Sequence, residues 1–330
     1  MKDVTKNAIF KRLNGDFEYY ARYQRIKQIS SRVRVSEYLI TTACNIRCKG
    51  CWFFEYDFDK RTKDLSKKDE IKKFLISERN RGINTSLIIG GEPTLHPKRL
   101  ELFAEIMEFN SISTNGLKAL PKEGFKDFSV LISLFGGGSL DDDLRAIKPN
   151  GNSFSGLFET ALKNYKYDPR AHFIFAVTED GIAHIEETVR KISENGNTVS
   201  VNFYSKYGTS DPLRTKYEKR LLDEILRVRE LFPETLASHP YYIEAMVTGK
   251  SHWGDFGYDV CPSVSVDHPQ NAERIKNGNA VLPGFNAYAS DCKTVNFCCT
   301  SGHCEDCRDS QAVMSWIMIN QKRFVKDENL

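Results

Sequence analysis

Apolar positions along this chain fall into short continuous runs separated by longer stretches of helical spacing. The runs occupy 37–42, 86–89, 109–114, 130–135, 173–177 and 199–204, and the helix-like stretches 66–80, 98–107, 154–165 and 182–194. Short β-rich runs alternating with helical patterns predict parallel strands joined by crossover helices that cover the sheet. Six repeats are too few for a closed eight-stranded barrel. The pattern therefore predicts an α/β chain built on a partial (β/α)6, TIM-like barrel. Residues 1–35 read as an irregular or helical basic lead-in. The charged stretch 209–232 reads as the last barrel helix or the connection to a smaller unit. Beyond it the sequence is rich in turns, with Pro269, Asn277-Gly278 and Pro283-Gly284. The expected division is lead-in 1–35, barrel 36–230 and a small cysteine-rich domain 231–330.

In such sheets functional residues gather where strands end at their C-termini. Directly after the first run come Cys44, Cys48 and Cys51. Three thiols this close wrap the chain around one metal centre and leave a fourth position unfilled, whereas closed four-ligand sites are structural. Thiolate donors suit zinc or an iron–sulfur cluster, and clusters are usually held by four cysteines. Zinc and a chance spacing remain alternatives. After the second run stands Gly90-Gly91-Glu92-Pro93, where paired glycines allow a ligand close to the backbone and expose amides. The plainer alternative is a βα turn with Glu92 in solvent. The third run ends in Ser113-Thr114-Asn115-Gly116, a polar turn by composition. Ser133 interrupts the fourth apolar run and is either satisfied by its own backbone or directed at a ligand. The following loop is glycine-rich and then acidic, with Asp141, Asp142 and Asp143. It lacks the Lys-Ser/Thr of a phosphate cradle and reads as a solvated helix start, with cation or substrate binding as the alternative. Glu179, at the end of the fifth run, is a weaker candidate of the same kind.

The nine cysteines form two groups, 44–51 and 261–307, with none between. Such grouping points to two metal centres. In the second group Cys304 and Cys307 have chelate spacing, and Cys261 with Cys298 or Cys299 completes a four-thiol shell, for which zinc is again admissible. Residues 288–299 read as a hairpin turning at 290–292, which leaves Cys292 outside that shell. The polar N-terminus carries no signal segment, and clustered rather than framework cysteines point to a cytoplasmic protein. No apolar run approaches the ~18 residues of a membrane span. A net charge of +3 is too mild to imply nucleic-acid binding. The positive stretch between Lys11 and Arg34 reads as the solvated face of a helix.

Cys44-x3-Cys48-x2-Cys51 resembles the CxxxCxxC loop of the radical S-adenosylmethionine (SAM) superfamily. That resemblance implies that the three cysteines hold three irons of a [4Fe–4S] cluster and that SAM chelates the fourth. Gly90, Gly91, Glu92 and Pro93 resemble the family's GGEP motif beside the SAM amino group. Ser113 and Asn115 belong to a stretch similar to its TNG turn, and Ser133 matches a strand-four serine near SAM. One departure is Gly50, where many members carry an aromatic residue; Trp52 follows the third cysteine instead. The C-terminal group resembles the twitch or SPASM extensions, although the full seven-cysteine pattern is absent. It implies an auxiliary [4Fe–4S] cluster on Cys261, Cys298, Cys304 and Cys307, with Cys299 as the alternative to Cys298. Of the two remaining thiols, Cys292 or Cys299 is a possible hydrogen-atom donor, and a structural role is the plainer reading. The resemblance further implies a flavodoxin or ferredoxin-type electron donor. The expected substrate is a small metabolite such as a sugar, nucleoside or amino-acid derivative, favoured because no separate leader-binding domain is evident before the first run. The alternatives are a peptide maturase of the same superfamily and a zinc-stabilised binding protein without redox chemistry.

Overall fold

Alternation within each strand, more than overall hydrophobicity, decides how the sheet is covered. The computed structural model describes residues 15, 17–203, 213–236, 238, 240–248, 261–297 and 315. Helix α1 (Phe17–Arg32) leads into strand β1 (Val35–Leu39), short helices α2 (Trp52–Glu55) and α3 (Phe58–Arg61), and then α4 (Lys68–Asn80). Next come β2 (Thr85–Ile89), α5 (Pro97–Ile106), β3 (Phe109–Thr114), β4 (Phe128–Leu134), α6 (Gly138–Arg145) and α7 (Leu157–Asn164). The chain continues through β5 (Ala171–Val177), α8 (Ile185–Glu194), β6 (Thr198–Phe203), α9 (Leu213–Leu231), α10 (Pro240–Thr248) and α11 (Ala272–Lys276). It closes with β7 (Ala287–Tyr288) and β8 (Val295–Asn296).

One eight-stranded sheet results, in the order β6-β5-β4-β3-β2-β1-β7-β8, and it does not close. Strands β1 to β6 are all parallel, as the alternating pattern predicts. The C-terminal hairpin was expected within the cysteine-rich part, and it joins the barrel's own sheet. Strand β7 pairs in parallel with β1, and β8 pairs antiparallel with β7. Its turn runs from Ala289 to Thr294, longer than 290–292. Among the described residues no helix is long and apolar enough to cross a membrane.

Helix-facing positions carry the core. Ile88, Ile112, Val130, Ile132, Phe173, Phe175 and Val199 are buried against Leu75, Leu100, Phe103, Phe158, Ile185, Val189 and Ile192 of the covering helices. Full burial of one such side chain contributes about 1.5–3 kcal/mol. The opposite, inner face differs. Ser111, Ser113, Leu131, Ser133, His172, Ile174, Ser200 and Asn202 alternate with the core positions and are only half-buried. His172 is held between Thr198 Oγ1 and Ser200 Oγ, both at 2.7 Å, and burial lowers its pKa, favouring the neutral ring. A parallel sheet packed on both faces would need apolar residues at both sets of positions. The hydroxyls here belong to an inner wall left open for water or ligand.

A buried carboxylate ties the hairpin to the barrel. Glu78 on α4 accepts hydrogen bonds from Tyr38 of β1 at 3.0 Å and Tyr288 of β7 at 2.9 Å, and it pairs with Arg81 Nε at 3.0 Å. The two rings stack with centroids 5.7 Å apart. Burial first, then the Glu78 charge, raises both tyrosine pKa values, so the phenols stay protonated as donors. Removing the acceptor strands two buried hydroxyls. Glu78→Ala is expected to cost about 2–4 kcal/mol in denaturant unfolding; an unchanged midpoint would show that the hairpin is held by other contacts.

Candidate active site

The cysteine loop grows out of β1. Beyond Leu39 the ladder continues for one bond, Ile40 N to Ile89 O at 2.9 Å. Asp64 then holds the next two residues, accepting from Thr41 Oγ1 at 2.7 Å and Thr42 N at 2.9 Å. Burial works against its charge, but these hydrogen bonds outweigh that and keep the carboxyl below its usual pKa. Arg99 pairs with Asp64 at 3.2 Å and donates to Ile40 O. The base of the loop is therefore braced before the first cysteine is reached.

The glycine turn after β2 docks on the same segment by main-chain contact. Gly91 N donates to Thr41 O at 2.8 Å, and Glu92 N to Ala43 O at 2.8 Å. A Cβ on Gly91 would lie 2.2 Å from Ala43 O; on Gly90, whose φ is +152°, it would lie 2.7 Å from Thr41 O. The glycines are thus required by close approach, but the approaching group is the cysteine loop itself. The sequence suggested exposed amides here, whereas those of Gly91 and Glu92 are engaged within the chain.

Glu92 does not face solvent. It is 1% exposed. One oxygen accepts from Thr94 N at 3.0 Å, Thr94 Oγ1 at 2.6 Å and Thr114 Oγ1 at 2.8 Å; the other accepts from Asn115 N at 2.8 Å. Asn115 Nδ2 reaches Asn45 Oδ1 at 2.8 Å, next to Cys44. A continuous polar chain thus links the turns after β2 and β3 to the cysteine loop.

Cys44, Cys48 and Cys51 are half-buried between two apolar patches. Cys44 and Cys48 pack with Ile46, Ala146, Leu157, Leu117 and Phe154; Cys51 packs with Leu39, Phe53, Phe58 and Trp52. Burial pushes the Cys44 thiol up to about 12 and the Cys51 thiol up to about 11, with neighbouring negative groups adding to it. Without metal these sulfurs hold their protons, and thiolate ligation requires positive metal to displace them. Among the described residues no three His, Cys, Asp or Glu side chains surround a single ion; an iron–sulfur cluster instead takes each thiolate on its own iron.

A buried cation stands beside the trio. Arg145 of α6 is 3% exposed and pairs with Asp141, 1% exposed, at 3.4 Å. It also donates to Ser133 O and lies near the Cys48 sulfur. Burial disfavours its charge, but Asp141 and Cys48 outweigh that and raise its pKa. Burial in turn raises the Asp141 pKa, against the pull of Arg145. The acidic loop was expected to be solvated. Instead Asp141 turns inward to take Phe135 N at 2.5 Å, and Asp142 caps α7 through Gly156 N at 2.7 Å and Leu157 N at 2.9 Å. Only Asp143 is exposed. Arg145 Nε is buried without a partner among the described residues, a donor left for a ligand. Its sequence signal was the Asp141–Arg145 spacing of one helical turn behind a strand end.

The other candidates are placed as follows. Ser113 and Ser133 are half-buried at the ends of β3 and β4 on the inner face, and Pro93 is buried in the glycine turn. Glu179 accepts from Tyr217. Cys292 sits in the hairpin turn at φ +58° and lines a small void on the helix side with Tyr38, Ile40, Arg99 and Phe103. Burial pushes its thiol up to about 12. Cys261 is buried. Cys298, Cys299, Cys304 and Cys307 lie outside the described residues.

An open parallel barrel with donors gathered at the C-terminal ends of β1 to β4 is the arrangement of a barrel enzyme. The Radical SAM superfamily model matches residues 38–212, more than half of the chain, and the chain belongs to that superfamily. The family's cofactors are a [4Fe–4S] cluster and SAM, and the thiol trio on its glycine cradle is a donor set that fits them. The fold is similar to "Native anSMEcpe with bound AdoMet and Cp18Cys peptide", with TM-score 0.53 and 16% identity, covering 88% of this chain and 81% of that one. It is similar also to "Native anSMEcpe with bound AdoMet", with TM-score 0.53 and 17% identity, covering 88% and 82%. At this identity the likeness shows the fold. No curated protein matches the chain.

The cradle yields a direct test. Gly91→Ala, whose Cβ would meet main-chain rather than side-chain atoms, is expected to cost about 2–4 kcal/mol and to cut the iron and sulfide bound per chain by more than half. Wild-type iron content in this variant would show that the turn does not set the loop.

Proposed function

We propose that this protein cleaves SAM reductively and uses the resulting radical to take a hydrogen atom from a small polar metabolite, a sugar, nucleoside or amino-acid derivative. The observation that carries the reading is the thiol trio held by main-chain bonds to the Gly91–Glu92 turn, within the residues that match the family. When bound, the cluster with SAM at its open iron supplies one-electron cleavage to methionine and a 5′-deoxyadenosyl radical, which abstracts hydrogen from an unactivated carbon. Cys44, Cys48 and Cys51 would hold that cluster. Gly90, Gly91, Glu92 and Pro93 shape the ground on which the SAM amino group would rest, with Ser113, Asn115 and Ser133 nearby at the ends of β3 and β4. Arg145, with its unpartnered Nε, supplies a fixed positive charge suited to a carboxylate. The two apolar patches keep water from the sulfurs, which is the protein's share of such chemistry. The inner wall of Ser111, Ser113, Ser133, His172, Ser200 and Asn202 offers hydrogen bonds to a polar substrate.

The C-terminal thiols Cys261, Cys298, Cys304 and Cys307 would hold an auxiliary cluster that accepts the substrate electron or anchors this region, with Cys299 as the candidate hydrogen donor; Cys292, the other thiol considered for that role, lines the helix-side void away from the inner wall. A peptide substrate is the second reading. What favours it is the fold's likeness, over most of the chain, to native anSMEcpe with a bound Cp18Cys peptide.

Cys48→Ala is expected to abolish 5′-deoxyadenosine formation in anaerobically reconstituted protein, at least a ~100-fold loss by chromatography; retained cleavage would overturn the assignment. Cys304→Ala should keep uncoupled SAM cleavage and lose product. Metal analysis of the wild type should give about eight irons per chain with matching sulfide; two zincs and no sulfide would leave the non-redox binding protein as the answer. Deuterium carried into 5′-deoxyadenosine from labelled metabolites, and not from labelled peptides, separates the two substrate classes.

A further inference from the structure

The end of α6 is strapped to the cysteine loop on both sides of Cys48. Arg47 N donates to Ile147 O at 2.7 Å, and Lys49 N donates to Leu144 O at 2.8 Å. Between those bonds Ala146 packs in the apolar patch of Cys44 and Cys48. Arg145 stands inside the strapped segment, so its main chain is fixed beside Cys48 by contacts that do not use its own side chain. That side chain is then aimed. It pairs with Asp141 at 3.4 Å, donates to Ser133 O, and sets its guanidinium carbon 5.2 Å from the centre of the Phe135 ring. Asp141 is tied to Phe135 N at 2.5 Å. The buried pair is therefore an oriented dipole.

Its positive end faces the thiols. Arg145 lies near the Cys48 sulfur, and its charge is felt at Cys51. Nε is buried with no partner among the described residues. A buried charge of the opposite sign, Glu92, flanks Cys44. Four donated hydrogen bonds spread the charge of Glu92, whereas the Arg145 guanidinium meets one carboxylate and one carbonyl. Net charge, hydrogen bonds to the sulfurs and exposure to water set the potential of an iron–sulfur cluster. The reduced cluster carries one more negative charge than the oxidised one, so a nearby cation favours reduction. At 3% exposure Arg145 acts through surroundings that screen it little.

We propose that the Arg145–Asp141 pair sets the reduction potential of the cluster held by Cys44, Cys48 and Cys51, Arg145 raising it and Asp141 limiting the rise. The inference rests on the radical reading above. It gives Arg145 a task separate from meeting a carboxylate, because the charge acts on the cluster whether or not Nε has a ligand. In the step concerned the oxidised [4Fe–4S] cluster gains one electron from a low-potential donor, and no bond forms or breaks. The apolar patches around the sulfurs disfavour the added charge, and the strapped arginine opposes them.

The test is a redox titration of the full chain, reconstituted anaerobically, with titanium(III) citrate as reductant and electron paramagnetic resonance as readout. The signal that changes shape when SAM is added identifies the cluster with the open iron, and potentials are then measured without SAM. Arg145→Gln should lower the equilibrium constant for reduction at least tenfold, about 59 mV for a one-electron couple. Arg145→Lys, which keeps the charge, should stay within about threefold of wild type. Asp141→Asn should move the potential the other way, upward. Opposite shifts from the two partners are not what loosened packing produces, and shifts of the same sign would overturn the proposal. A wild-type potential in Arg145→Gln with weakened SAM binding would overturn it too, leaving Arg145 as a carboxylate holder alone. If Arg145→Gln binds no cluster, Asp141→Asn decides: a raised potential supports the inference and an unchanged one overturns it. Loss of the cluster from both would place the pair in building the site and overturn the inference. A wild-type chain without a reducible cluster would instead sink the radical reading itself.

Discussion

The site depends on one main-chain contact, the packing of the Gly90–Gly91 turn against Thr41–Ala43 with no room for a side chain between them. Two parallel strands end side by side, and their first loop residues stay hydrogen-bonded after the ladder has stopped. Because Gly91 has no Cβ, the cysteine loop leaves β1 at a set height and direction. Glu92 extends the arrangement sideways. Buried and fully bonded, it joins the turn after β2 to Thr114 and Asn115 after β3, and through Asn115 to Asn45. Neither contact is strong alone. Each net hydrogen bond contributes only ~1 kcal/mol, but together they leave the loop one geometry.

Around that anchor the surroundings of the thiols serve opposing needs. The apolar patches that exclude water also raise the pKa of the Cys44 and Cys51 thiols, which favours protonated sulfur there. Arg145 offsets part of this by placing a buried positive charge that lowers the Cys51 pKa. An arginine so deep requires its own counter-charge, and Asp141 provides it. The same division runs through the sheet. Helix-facing positions are apolar and stabilise the fold, while inner-face positions carry serine, histidine and asparagine that contribute little to packing and leave a polar wall at the barrel's mouth.

Much of this was legible in sequence, and what was legible shares a cause. Six apolar runs became β1 to β6 within a few residues, and the helical stretches became α4, α5, α7 and α8, because the periods of strand and helix are local properties. The cysteine trio and the glycine pair stood out because few residue types do their work. What was missed was relational. The segment 52–61 carries two short helices, since Trp52, Phe53 and Phe58 find one another and Leu39 as a patch, and no period announces that. Asp141 looked solvated because an acid after three glycines usually is; it is buried because Arg145 comes round one turn later beside Phe135 and Ser133. The hairpin near residue 290 was expected, but its pairing with β1 was not, since Glu78 makes that junction from some 200 residues away in the chain.

By itself, then, the sequence determined the class of fold, the succession of strands and helices, and the chemistry on offer: three thiols, a glycine turn and polar strand ends. These follow from spacing over a handful of neighbouring residues, where covalent geometry leaves little choice. Tertiary structure alone decided which charges are buried together, which amides of the glycine turn are engaged within the chain, and which edge of the sheet the hairpin extends. Those outcomes depend on desolvation and close packing between segments remote in the chain, and both are properties of the assembled surfaces rather than of any one stretch of residues.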